Sequence, residues 1–145
     1  MFLGQYYHNL DSKNRLTIPS RFRELLADGA YVMQGFDRNL MVLTASAFAK
    51  IYERSNLMSL TDPITRLLKR LIFSTASHVD VDNAGRILIP EFLRQSIDLQ
   101  SEAVVVGVGD YFEIWSPDLW TEQINQLQDA EANAQRFAAL DMSTG

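Results

Sequence analysis

One stretch of this chain occurs twice, and the duplication limits what the chain can fold into. The copies are residues 9–23 and 80–94. Asp11 matches Asp82, Arg15 matches Arg86, Ile18 matches Ile89, Pro19 matches Pro90 and Arg23 matches Arg94, each 71 residues apart. Further along, Gly35 meets Gly107, Val42 meets Ile114, Thr44 meets Ser116 and Phe48 meets Trp120, now 72 apart. One Asp-x-x-x-Arg arises easily by chance. Two, each followed by an apolar stretch and a proline and then by a second matching block, mark an internal repeat, which has to be recognised before the fold can be read.

Each repeat covers about half of the 145 residues. A unit that small buries too little surface to be stable alone. The halves are therefore expected to share a core, or to gain one by oligomerising. Hydrophobic residues make up 47% of the chain, enough for a globular core and too many for a disordered segment. No apolar run is long enough to span a bilayer, and the opening residues 1–4 lack the basic and apolar regions of an export signal. The chain has no cysteine, so no disulfide framework is available, which fits a reducing cytoplasm.

A net charge of −5 argues against nucleic acid until its distribution is considered. Residues 1–97 hold 12 Lys/Arg against 9 Asp/Glu, a balance of +3; residues 98–145 hold one Arg against 9 Asp/Glu, a balance of −8. Within residues 11–23, Lys13, Arg15, Arg21 and Arg23 face Asp11 alone. The front of the chain is basic and the rear acidic.

In order, residues 4–10 read as an aromatic strand, 11–14 as a turn rich in Asp and Asn, and 15–18 as a half-buried strand that makes a hairpin with the first. Pro19 suits the first position of a short helix whose apolar face is Phe22, Leu25 and Leu26. Strands at 31–35 and 40–43 follow, then a helix from Ala45 to about Ser55 capped by Thr44. Thr61 or Asp62 caps the next helix, with Pro63 just inside it. Ile64, Leu67, Leu68, Leu71 and Ile72 form its apolar stripe, and Arg66, Lys69 and Arg70 make its other side basic. The second copy repeats the pattern: strands at 77–81 and 86–89, a short helix opened by Pro90, strands at 103–107 and 111–115, and a helix started by Ser116 and Pro117. The tail from Gln128 reads as helical before fraying near Met142. Strand segments this closely spaced, without a crossover helix after each, make the class α+β.

Taken on the residues alone, Asp11 and Arg15 read as an ion pair clamping a turn, and Asp82 and Arg86 as a second. Lys13 and Asn14 are either a solvated turn tip or the tip of a ribbon entering a major groove, where Asn can read adenine. Arg21 and Arg23 suit phosphates better than bases, or one of them pairs with Glu24. Arg66, Lys69 and Arg70 read as a solvated helix face. His8 and His78 read as structural. Asp80 and Asp82 share a strand face, which could suit a cation, but no second ligand stands at metal spacing. No nucleophile–base set or phosphate-cradling loop is present, so no catalytic residue, metal or cofactor is expected.

The two Asp-x-x-x-Arg blocks, with the basic helix at 63–73 between them, resemble the MraZ family. These are bacterial transcriptional regulators encoded beside division and cell-wall genes, within the wider SpoVT/AbrB group. The resemblance covers roughly Met1 to Trp120. It implies two tandem AbrB-like swapped-hairpin β-barrel repeats fused into one pseudo-two-fold unit with short flanking helices. The expected divisions are 5–47 for the first repeat, 48–75 for a connecting helical segment, 76–119 for the second repeat and 120–145 for an acidic tail. The resemblance also implies a homo-oligomeric ring on repeated promoter boxes of double-stranded DNA, in the cytoplasm and associated with the nucleoid, with no membrane partner. The family's DNA-contacting hairpin maps onto Ser12, Lys13, Asn14 and Arg15, with Arg21 and Arg23 beside it. Asp11, Asp82, Arg86, Pro19 and Pro90 carry the structural motif. The second hairpin, Asn83, Ala84 and Gly85, has no base at the position of Lys13, which suggests division of labour after duplication. The alternatives are an oligomeric protein-binding scaffold and an antitoxin-like module.

Overall fold

The computed structural model describes residues 1–143, so the last two residues of the expected tail lie outside the described residues. Among the described residues eight strands form: β1 Gln5–Asn9, β2 Arg15–Thr17, β3 Ala30–Gln34, β4 Leu40–Thr44, β5 Ser77–Val79, β6 Arg86–Leu88, β7 Glu102–Gly107 and β8 Phe112–Trp115. The helices are α1 Ser20–Arg23, α2 Ala45–Ser55, α3 Pro63–Thr75, α4 Glu91–Ser96, α5 Pro117–Leu127 and α6 Ala130–Arg136. A 3₁₀ turn, Glu24–Leu26, extends α1. The class is α+β, as the spacing of segments required.

Strand pairing joins the repeats. A six-stranded antiparallel sheet runs β1-β7-β8-β4-β3-β5, and β2 pairs with β6 in a separate ribbon. β1 of the first repeat thus lies on β7 of the second, while β5 of the second lies on β3 of the first. The registers are symmetric. Met41 faces Glu113, its counterpart 72 residues on, with Leu40–Ile114 and Val42–Phe112 on either side. Leu16 faces Ile87, its counterpart 71 on, flanked by Arg15–Leu88 and Thr17–Arg86. One pseudo-two-fold axis passes through both self-pairs.

The local hairpin expected between residues 4–10 and 15–18 is replaced by this exchange. Only a Leu10–Leu16 bridge and the turn itself remain of it. A lone two-stranded hairpin is marginal in water because it buries too little. Pairing across the axis closes the inner face of the ribbon: Leu16 and Ile87 are fully buried, while Leu88 on the outer face is exposed. The principal core is shared, as the size of each repeat demanded. Symmetric pairs meet in it: Ile18 and Ile89, Phe22 and Leu93, Leu26 and Ile97. Fully burying one such side chain is worth about 1.5–3 kcal/mol relative to leaving it exposed. Phe22 also packs edge-on to Phe2 at 5.0 Å and meets Phe112 of the other repeat at 5.2 Å.

Caps follow the side chains. Thr44 Oγ1 accepts from the Ala47 N–H, Asp62 Oδ1 from Ile64, Ser116 Oγ from Leu119 and Asp129 Oδ1 from Ala132. Pro19 and Pro90 depart from the expected first helical position. Both are extended N-caps, with ψ of 138° and 144°, and their carbonyls accept the first turn's N–H groups. Leu25 departs from the expected apolar face and stands exposed, while Phe22 and Leu26 pack into the shared core. On α3, Ile72 is buried and Leu68 and Leu71 are half-buried, but Ile64 and Leu67 are 69% and 59% exposed, so two of the five predicted stripe residues have no cover among the described residues.

Candidate nucleic-acid interface

Both Asp-x-x-x-Arg turns are built the same way. Asp11 Oδ1 accepts from the backbone N–H of Lys13 and of Arg15, each at 2.9 Å, and Oδ2 accepts from Arg15 Nε at 2.8 Å. Asp82 Oδ1 accepts from the N–H of Ala84 and of Arg86, each at 2.9 Å, and Oδ2 from Arg86 Nε at 3.0 Å. A short carboxylate at the first position reaches the N–H groups two and four residues on with one oxygen and leaves the second oxygen to accept from the arginine. The fourth position of each turn, Asn14 and Gly85, takes positive φ, 61° and 79°. Asn and Gly are the residues that adopt this conformation with least strain.

The Arg15 backbone N–H bond chiefly holds the Asp11 carboxyl below its ordinary range, and the Arg86 N–H does the same for Asp82; partial desolvation opposes both. Both aspartates therefore stay ionised opposite their arginines.

The symmetry fails at one point. Arg86 also donates from Nη1 to Asp11 Oδ2 at 3.3 Å, across the axis, so two of its nitrogens are committed. Arg15 has only Nε bonded; among the described residues its terminal nitrogens have no hydrogen-bond partner, and its side chain is 29% exposed. Ser12 and Lys13 at the tip are exposed, Asn14 is half-buried, and Arg21 on α1 is exposed.

Arg23 lies in the frame. Its Nε donates to the Ile18 carbonyl at 2.8 Å, and a Cβ built on Gly85 would fall 2.1 Å from Arg23 Cζ. Arg94 repeats the bond to the Ile89 carbonyl at 3.1 Å. Sequence reasoning missed this bracing of the Gly85 turn by an arginine of the other repeat, and it missed Asp11 as an acceptor shared by two arginines. The available signal was the match of Asn14 with Gly85.

Outward positions differ between the copies. Lys13, Thr17 and Arg21 correspond at a spacing of 71 to Ala84, Leu88 and Phe92; of these six, Thr17 is half-buried and the rest are exposed. The first turn presents charge and a hydroxyl where the second presents apolar side chains. Elsewhere, His78 Nε2 stands 4.0 Å from Asp80, and His78 meets Tyr31 edge-on. Among the described residues no group of side chains is placed to hold a metal ion, and no helix is long and apolar enough to cross a membrane.

These features define a class: a duplicated α+β protein whose halves exchange strands and which carries paired Asp–Arg turns astride a pseudo-two-fold axis. The family model described as "MraZ protein, putative antitoxin-like" matches twice, at residues 1–71 and 72–142. The chain is 41% identical over 138 residues to the transcriptional regulator MraZ of Roseiflexus castenholzii, covering 95% of this chain and 94% of the relative. It is 39% identical over 141 residues to that of Herpetosiphon aurantiacus, covering 97% and 99%. It is 42% identical over 122 residues to that of Dictyoglomus thermophilum, covering 84% of each. The chain belongs to the MraZ family. The relatives' names are those of regulators and not of enzymes, in line with the expectation for this chain.

Proposed function

We propose that this chain is a transcriptional regulator that binds double-stranded DNA sequence-specifically, as a homo-oligomeric ring on repeated promoter boxes near division and cell-wall genes. It would act in the cytoplasm, in association with the nucleoid. The observation that carries this is the Arg15 guanidinium, held at Nε by Asp11 with its terminal nitrogens unbonded among the described residues, beside exposed Lys13. A fixed arginine fork matches guanine O6 and N7 and is worth about 1–3 kcal/mol of discrimination. Lys13, Ser12 and Asn14 complete the reading tip, Arg21 meets a phosphate, and Arg23 contributes charge while bracing the frame. Arg86, with two nitrogens committed, holds structure.

A single turn makes few base contacts, so one subunit binds weakly. Several turns on one oligomer engaging boxes spaced near one helical turn raise avidity by roughly 10²–10⁴. The test is fluorescence anisotropy of the purified chain against its own upstream DNA and a scrambled control, across a salt series. Tight, salt-sensitive binding to the native sequence, abolished in Arg15→Ala, supports the reading. Equal weak binding to both sequences removes it.

A second reading, antitoxin-like, is favoured by one observation: the acidic C-terminal segment carries α6 with Phe137 and Leu140 exposed. Its partner would be a basic toxin, and a pull-down with and without residues 128–145 distinguishes it.

A further inference from the structure

The β2–β6 ribbon has an inner and an outer face. Leu16 and Ile87 turn inward and are fully buried, so their neighbours along each strand turn outward: Arg15 and Thr17 on β2, Arg86 and Leu88 on β6. The Ile18 N–H donates to the Gly85 carbonyl and the Ile89 N–H to the Asn14 carbonyl. The ladder alternates from these bonds, so Arg15–Leu88 and Thr17–Arg86 are its non-hydrogen-bonded pairs, the kind whose side chains stand closest. Each outward arginine thus has one cross-strand neighbour. For Arg86, bonded to Asp82 and Asp11, the neighbour is Thr17, half-buried. For Arg15, bonded at Nε to Asp11, it is Leu88, 57% exposed.

The frame does not require a leucine there. Leu88 packs in none of the buried clusters of the described residues, and the symmetric place holds a threonine in an equally regular ladder. A lone apolar side chain on a surface is ordinary in itself. This one stands beside the arginine that the DNA reading sets against a base edge, on the same open face. Opposed Cβ atoms lie about 4.5–5.5 Å apart and successive base pairs about 3.4 Å. A ribbon that places Arg15 on one base pair of a major groove therefore brings Leu88 to the next. All four bases show polar atoms in that groove, and thymine alone adds an apolar group, its C5 methyl. Leucine has no donor or acceptor. Against a methyl it buries apolar surface; against a purely polar edge it strips water and returns no hydrogen bond.

We propose that Leu88 reads the C5 methyl of a thymine at the base pair next to the guanine held by Arg15. It is a specificity-determining residue contributed by the second repeat to the reading face of the first. This rests on the DNA binding put forward above and names a second base in its target.

The test is fluorescence anisotropy of the full-length chain against three duplexes. One is its own upstream DNA, one is the same duplex with deoxyuridine for every thymine, and one is a scrambled control. Deoxyuridine keeps every hydrogen-bonding atom of thymine and lacks only the methyl. The wild type is expected to bind the thymine duplex at least about fourfold tighter than the uracil duplex, the effect of one buried carbon. Leu88→Ala is expected to bind both equally, near the affinity of the wild type for the uracil duplex. Leu88→Gln carries the same expectation should Leu88→Ala melt early. A wild type that binds thymine and uracil duplexes equally, yet prefers them to the scrambled control, overturns the methyl contact and leaves the regulator standing. A folded Leu88 variant that keeps the thymine preference overturns Leu88 as its reader. A wild type that does not distinguish native from scrambled DNA overturns sequence-specific binding itself.

Discussion

Arg86 donates to Asp11 at 3.3 Å across the pseudo-two-fold axis, whereas Arg15 makes no bond to Asp82 among the described residues. The two arginines occupy equivalent places and make different bonds. Arg86→Ala should lower the melting temperature more than Arg15→Ala, because it removes a link between the repeats as well as a turn clamp. Thermal unfolding of the two variants checks this; equal shifts would dissolve the distinction between a reading and a structural arginine.

Arg21 is exposed on α1, outside the Asp–Arg cluster. Arg21→Ala should weaken binding to native and scrambled DNA alike. It should also flatten the slope of log K against log salt by about 0.9 for each phosphate it no longer neutralises. A variant with the wild-type slope would leave Arg21 without a phosphate.

Leu16 and Ile87 face each other on the axis, fully buried. Leu16→Ala should cost about 2–5 kcal/mol of unfolding free energy in urea, from the forfeited transfer energy plus the cavity. Because the residues are partners, the double variant with Ile87→Ala should depart from additivity by about 0.5–3 kcal/mol. Strict additivity would place them in separate cores.

Asp11 and Asp82 have folded-state pKa values below their unfolded values, so the folded chain binds fewer protons there. Their stabilisation is fully present above the ordinary aspartate range and disappears as pH falls through the lowered values. The melting temperature should decline as pH drops below that range, and Asp11→Asn/Asp82→Asn should flatten this limb. A double variant with an unchanged acid limb would assign the decline to other carboxylates.

Glu113 has the opposite sign. Burial raises its pKa, although Trp115 Nε1 donates to it at 3.1 Å. The folded state binds the proton more tightly, so stability falls as pH rises from the ordinary glutamate range through the raised value. Glu113→Gln keeps the acceptor and removes the charge, and should raise the melting temperature near neutral pH. An unchanged or lower value would mean that the ionised carboxylate is well solvated.

Much of the candidate site was legible before any fold was known. Asp11 with Arg15 and Asp82 with Arg86 are four residues apart, so a turn brings each pair together whatever lies around it. Asn14 and Gly85 declared the strained position, and Thr44, Asp62 and Ser116 declared helix starts. The misplaced details were those decided at a distance. Residues 4–10 and 15–18 alternate as a hairpin should, yet each found a partner in the other repeat. Ile64 and Leu67 satisfied the helical period as well as Ile72 did, and periodicity cannot say whether anything covers a face.

The duplication, the two Asp–Arg turns, the caps and the basic front were all readable from the order of residues, because they rest on interactions within about four residues or on simple counts. That β1 lies on β7 and β5 on β3, that Leu16 meets Ile87, and that Arg86 crosses to Asp11 while, among the described residues, Arg15 does not cross to Asp82, emerged only when the whole chain was packed. Those outcomes depend on which long-range pairing buries the most apolar surface.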